Sequence, residues 1–158
     1  MIRLILPPAI CQTVKGALQR AGDREVGGVL LAEHVGLNEF EIKELTVHRR
    51  GTFFNFVRRI EEAAARMLSF FERARHEYTR FNYIGEWHSH PRFAPVPSEP
   101  DDASMTAIVQ DGELGANFVV LLIVKLDRSG GLIGSTHTYL PDGSKHASIV
   151  EFAISDGC

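Results

Sequence analysis

The run FVVLLIVKL, Phe118 to Leu126, holds nine residues with one charge among them. A strand with one solvated face alternates apolar and polar side chains, so a run this continuous reads as a strand buried in the interior. A buried strand needs layers to cover it, and the remainder of the chain supplies them. Ile2 to Leu6 is a short β-type run that Pro7 and Pro8 stop, and the prolines open a helix that reaches Gln19 or Arg20 and ends at Gly22. Glu25 to His34 and Glu39 to His48 flank the turn-forming VGLN and read as a hairpin. The alternation of Phe40 and Ile42 slips by one before Leu45 and Val47, which predicts a bulge. The polar-aromatic RGTFFNF is read as a loop, after which Val57, Ile60, Ala64, Met67, Phe71 and Tyr78 keep helical spacing and predict one amphipathic helix over about Arg58 to Thr79. A strand from Asn82 into the His88 region, a helix from Ser98, and a last clear strand in LIGSTHTYL complete the pattern. The IVEFAI run beyond it is expected to pack as a strand or helix.

This order predicts an α/β fold of the α+β type, a mostly antiparallel sheet flanked by helices. With 158 residues, 44% apolar and 23% charged, the chain reads as a single domain over 1–158 of a soluble globular protein. The net charge of -3 and the dispersed pairs Arg49/Arg50 and Arg58/Arg59 make no phosphate-binding stripe, so no nucleic-acid partner is expected. No apolar run is long enough for a bilayer, and the start MIRLILPPAICQ lacks the basic leader of a signal peptide. Cys11 and Cys158 form no CxxC pair, which points to a reducing, cytoplasmic setting. His34, His137 and His146 lack paired spacing and are read as structural or surface residues, and no sequence feature sets an oligomeric state.

The chemistry concentrates in YIGEWHSHPRFAPVPSEPDD, Tyr83 to Asp102. Side chains two apart on a strand share a face, so His88 and His90 can aim at one point while Trp87 and Ser89 face away. Pro91 ends strand pairing, and a loop stiffened by Pro95 and Pro97 delivers Ser98 and Asp101 to the start of the next helix. Two imidazoles and one carboxylate are the ligand set of a hydrolytic zinc site, which keeps a fourth position open. Beside this stands a plainer reading: Ser98 and Asp101 make a capping-box pattern, with Glu99 and Asp102 adding acid to the helix start. Asp101 can both cap and ligate. The two glycines after Glu25 likewise admit a plain reading, relief of crowding in a strand. Other HxH chemistries fit less well: an amidohydrolase barrel needs about 250 residues, and neither the PCxxC of zinc deaminases nor an HExxH helix is present. Glu86, two residues before His88, shares its predicted face and is either a rival base or a residue that orients a ligand histidine.

HSHPRFAPVPSEPD, with His88, His90, Pro97, Ser98 and Asp101 at their spacings, resembles without a gap the JAMM motif of the JAB/MPN family of zinc metalloproteases, and the upstream EVGGVLL is similar as well. The resemblance runs from residue 2 to about residue 140 and implies a JAB/MPN-like, cytidine-deaminase-like fold. By that resemblance His88, His90 and Asp101 bind Zn²⁺, Glu25 on the strand after the first helix moves a proton from the attacking water to the leaving amine, and Ser98 donates a hydrogen bond to the oxyanion. The implied substrate is a bond following the C-terminal tail of ubiquitin or a ubiquitin-like protein. The long helix before YIGEWHSHP resembles short bacterial members that accompany E1-like and E2-like proteins in antiviral operons. Three functions follow: an isopeptidase that removes a ubiquitin-like modifier, a peptidase that trims a sulfur-carrier or modifier precursor, and a catalytically silent MPN scaffold. The third is disfavoured because Glu25, His88, His90, Ser98 and Asp101 are all in place.

Overall fold

The structure, a computed structural model, describes residues 1–49 and 56–153, with the backbone alone at 56–60 and 62. Its elements are β1 (Arg3–Leu6), α1 (Pro8–Ala21), β2 (Val26–Gly36), β3 (Glu39–Leu45), β4 (His48–Arg49), α2 (Phe56–Arg73), β5 (Phe81–Ser89), α3 (Glu99–Val109), β6 (Val119–Leu126), β7 (Leu132–Tyr139) and β8 (Lys145–Phe152). The predicted RGTFFNF loop, apart from Phe56, lies outside the described residues.

The strands pair in the order β3-β1-β8-β7-β6-β5-β2, and β2 pairs in turn with β3, so the sheet closes on itself with β4 added alongside β2. The antiparallel pairs β2–β3, β2–β4, β2–β5, β6–β7 and β7–β8 outnumber the parallel β1–β3, β1–β8 and β5–β6. The mostly antiparallel sheet is therefore present, but as a closed barrel rather than an open layer. Closure falls to β8, which takes β7 on one side and β1 on the other. None of its side chains is fully buried, which is why IVEFAI carries no clear strand signal in the sequence.

Closure divides the apolar residues into two cores. Leu4, Leu6, Leu30, Ile42, Trp87, Val120, Leu122 and Val124 pack with Cys11, Val14 and Leu18 of α1, while Val29, Leu31, Tyr83, Leu121 and Ile123 pack with Ala63 and Phe70 of α2 and Met105 and Ile108 of α3. Alternate residues of β6 thus enter opposite cores, which is the physical meaning of an apolar run without alternation. On β5, Trp87 faces the α1 core, so Glu86 and His88 face the α3 side.

Local chemistry explains most element ends. Pro8 occupies the first turn of α1, and Gly22 closes it at φ 60 with its N–H on the Leu18 carbonyl. The slip expected in the second hairpin strand is real: Leu31 faces Glu44 and Ala32 faces Ile42, which leaves Lys43 as the extra residue. Helix α2 stops at Arg73 rather than near Thr79. His76 N–H bonds the Phe71 carbonyl and Arg75 N–H bonds the Glu72 carbonyl, a Schellman closure with Arg75 at φ 54. Glycine normally takes that left-handed position, so an arginine there leaves nothing in the sequence to mark the end. No helix among the described residues is long and apolar enough to cross a membrane.

The predicted strand through His48 breaks at Thr46, and the break serves the site. Thr46 N–H donates to the Val29 carbonyl, Thr46 Oγ1 accepts Val29 N–H at 2.9 Å, and the Thr46 carbonyl accepts Trp87 Nε1–H at 2.9 Å. This approach requires Gly28: a Cβ there would lie 2.0 Å from the Thr46 carbonyl oxygen, and one on Gly27 would lie 2.8 Å from His88 Cβ. The plain reading of the glycine pair as relief of crowding is thus correct, and part of the crowding comes from β5 at His88. Gly28→Ala is expected to destabilise the protein by about 1–3 kcal/mol, because the clash is with backbone and no rotamer relieves it. Urea denaturation measures this as a lower midpoint.

Candidate metal centre

β5 is a strand buried on both faces, and its last turn of alternation carries His88 toward the α3 side. His90 follows just past the strand end, with its N–H still bonded to the Val124 carbonyl of β6 at 3.0 Å. The loop through Pro97 then brings α3 back over the same sheet face, where Met105 and Ile108 pack in the outer core. Asp101 sits in the first turn of that helix, and so strand parity and helix start bring three side chains together.

His88, His90 and Asp101 are 3%, 7% and 6% exposed, and each presents a ligand atom within 4.8 Å of the others. His88 Nε2 lies 3.1 Å from His90 Nε2, 3.4 Å from Asp101 Oδ1, and His90 Nε2 lies 3.5 Å from Asp101 Oδ2. Donor atoms about 2.0–2.1 Å from a common centre at tetrahedral angles stand about 3.3 Å apart, so these spacings suit zinc. The tautomer suits it too. His90 Nδ1 faces the Ala94 carbonyl at 3.0 Å, and a carbonyl only accepts, so Nδ1 carries the proton and the Nε2 lone pair is left toward the cluster.

Asp101 belongs both to this group and to the start of α3, as its position in the sequence allows. Ser98 Oγ accepts Asp101 N–H at 3.3 Å and Asp101 Oδ2 accepts Ser98 N–H at 2.9 Å, a complete capping box. Burial pushes the Asp101 carboxyl up, but the hydrogen bond and charge of His88 and the donors of Ser98 outweigh it. The group is held well below the usual carboxylate range and stays ionised, the form a metal requires.

The remaining sequence-predicted residues surround this group. Glu25 is half-buried and stands immediately before β2 rather than on it. Gly27 pairs with His88 and Val26 N–H donates to Ser89 Oγ at 3.1 Å, so continuing the register sets Glu25 opposite His90. Ser98 is exposed and is tied to Asp101. Glu86 is 5% exposed, opposite Val29, on the face of His88 but about 7 Å back along the strand. Three residues that sequence reasoning did not single out also shape the site. Ser135 Oγ donates to the Pro95 carbonyl at 2.5 Å, Lys125 Nζ to the Phe93 carbonyl at 3.2 Å, and Tyr139 Oη to Asp102 Oδ1 at 2.7 Å. They come from β6 and β7, distant in sequence, and no local pattern marks them.

A barrel wrapped on a helix, with a buried His-His-carboxylate group between a strand end and a helix start, defines a JAB-type domain. The chain belongs to the family described as prokaryotic homologs of the JAB domain, which matches residues 11–136 and so all five predicted site residues. Among solved structures, the chain is similar to the solution structure of protein DSY2949 from Desulfitobacterium hafniense. The two share 14% identity at a TM-score of 0.65 over 96% of this chain and 94% of that one, a likeness of fold alone. No curated protein matches the chain.

Proposed function

We propose that this protein is a zinc-dependent isopeptidase that cleaves after the C-terminal tail of a ubiquitin-like modifier. The observation that carries the reading is the buried convergence of His88 Nε2, His90 Nε2 and the Asp101 carboxylate at 3.1 to 3.5 Å. Those three residues would hold the ion, and zinc in such a site supplies Lewis acidity for amide hydrolysis. Glu25, the residue immediately before β2, is set opposite His90 by continuing the β2–β5 register, and its carboxylate can take a proton from the attacking water and return it to the leaving amine. Ser98, at the lip of the site, places a hydroxyl where negative charge develops on the carbonyl oxygen. Pairing of β5 with both β2 and β6 fixes His88, and the His90 N–H on the Val124 carbonyl fixes His90, which is the rigidity that such positioning requires. Modifier conjugates and the E1-like and E2-like proteins that make them are the proposed partners, with antiviral defence in bacteria as the setting.

The test is incubation of the zinc-loaded protein with two substrates, a ubiquitin-like modifier joined through an isopeptide bond to a target lysine and the same modifier with a C-terminal extension. Release of free modifier from the conjugate, abolished by chelator and restored by zinc, is the expected result. Cleavage of the extended precursor alone would replace deconjugation with precursor trimming. Binding of conjugate without cleavage of either would make the domain a scaffold.

A further inference from the structure

His88 comes from a strand gripped on both sides and His90 follows directly on its end, but the third metal-site side chain comes from a helix whose start is set by a loop. Residue parity turns Ser135, His137 and Tyr139 of β7 to the sheet face that α3 covers, since they pair with Ile123, Leu121 and Val119 of the outer core. From there Tyr139 Oη–H donates to Asp102 Oδ1 at 2.7 Å, and Lys145 Nζ, at the start of β8, donates to Asp102 Oδ2 at 2.9 Å. Asp102 directly follows Asp101. Its two oxygens thus pin the backbone next to the third ligand to two strands on which no ligand lies.

Helix stability does not call for this arrangement. The N-terminus of α3 is already closed by the reciprocal Ser98–Asp101 bonds, and an unpaired Asp102 could stand in water at little cost. Instead the bond reaches a phenol that is 2% exposed, whose burial, together with the charge of Asp102, pushes its pKa up so that it remains a donor. A buried hydroxyl paired with a charged acceptor holds distance and direction more strictly than a surface ion pair.

We propose that Tyr139 and Lys145 act through Asp102 as a positioning clamp that holds Asp101 in place for metal, and so set the affinity of the site for zinc. The inference rests on the zinc reading of His88, His90 and Asp101. Tyr139 and Lys145 are positioning residues, and their hydrogen bonds go to Asp102. Residues that orient ligands typically carry 10–100-fold in metal affinity, which sets the size of the effect.

The test is the zinc affinity of the full chain, stripped of metal and titrated against a chromophoric zinc chelator, with the melting temperature of the zinc-free protein measured alongside. Tyr139→Phe and Asp102→Ala are each expected to weaken zinc binding about 10–100-fold. Asp102→Asn, which still offers an acceptor to Tyr139, should recover part of that loss. The double variant Tyr139→Phe/Asp102→Ala should bind no worse than Asp102→Ala, because both act through one contact. Lys145→Met, at a partly exposed position, gives a variant that folds, with a smaller loss in the same direction. Unchanged zinc affinity in Tyr139→Phe and Asp102→Ala beside a lowered melting temperature would reduce the cluster to a fold contact and overturn the clamp while leaving the zinc site standing. A wild-type protein that binds no zinc would overturn the zinc reading itself, and the clamp with it.

Discussion

Glu25→Gln is expected to lower kcat by at least ~10²-fold while zinc and substrate remain bound, the weight of a general base removed from an otherwise intact site. Glutamine has nearly the shape of glutamate but cannot accept the proton, so a fall in kcat with KM little changed isolates proton transfer from binding. The competing carboxylate is Glu86. It is buried on the face of His88, but it shares the strand of His88 and lies about 7 Å back from it, whereas Glu25 immediately precedes β2, where continuing the β2–β5 register sets it opposite His90. Glu86→Gln should therefore cost much less. Loss of turnover in Glu86→Gln with zinc retained, beside near wild-type turnover in Glu25→Gln, would reverse the two roles.

His88→Ala and Asp101→Ala are expected to reduce zinc affinity by orders of magnitude, as each removes one of three protein donors together with the groups that orient it. Asp101 needs a second substitution for a clean result, because alanine also removes the carboxylate arm of the capping box, the acceptor of Ser98 N–H, while Ser98 Oγ still caps α3. Asp101→Asn separates the effects. The amide oxygen can still accept Ser98 N–H, so the zinc-free protein should melt near the wild type, but the charged donor is gone and zinc should be lost. Elemental analysis of protein purified without added metal, compared with the melting temperature of the stripped proteins, reads both quantities. Full zinc retention in His88→Ala and Asp101→Asn would remove the ligand assignment.

The grouping of His88, His90 and Asp101 is legible because it depends on the shortest-range rules in a chain. Parity on a strand puts His88 and His90 on one face, and a capping pattern puts Asp101 in a first helical turn, whatever the rest of the molecule does. The apolar Phe118 to Leu126 run likewise declared a strand covered on both sides, and the slip after Ile42 declared its bulge. What the sequence hid was set by partners far along the chain. Barrel closure rests on β8, whose residues bury no full side chain and so show no core pattern. The end of α2 rests on a left-handed arginine where glycine would be the signal. The need for Gly28 is visible only once the Thr46 carbonyl is seen against it, and the grip of Tyr139 and Lys145 on Asp102 spans 37 and 43 residues. Glu25 lies between these cases: the motif marks it in the sequence, but that continuing the register sets it opposite His90 follows only from the Gly27–His88 pairing of β2 with β5.

The central claim is that His88, His90 and Asp101 are the ligands of one zinc ion. Anomalous diffraction at the zinc absorption edge, on crystals of wild-type protein grown with stoichiometric zinc, tests it directly. A single strong peak within about 2.0–2.2 Å of His88 Nε2, His90 Nε2 and a carboxylate oxygen of Asp101 is the predicted result. No peak there, or a zinc ion held by other side chains while these three keep to their mutual hydrogen bonds, would contradict it.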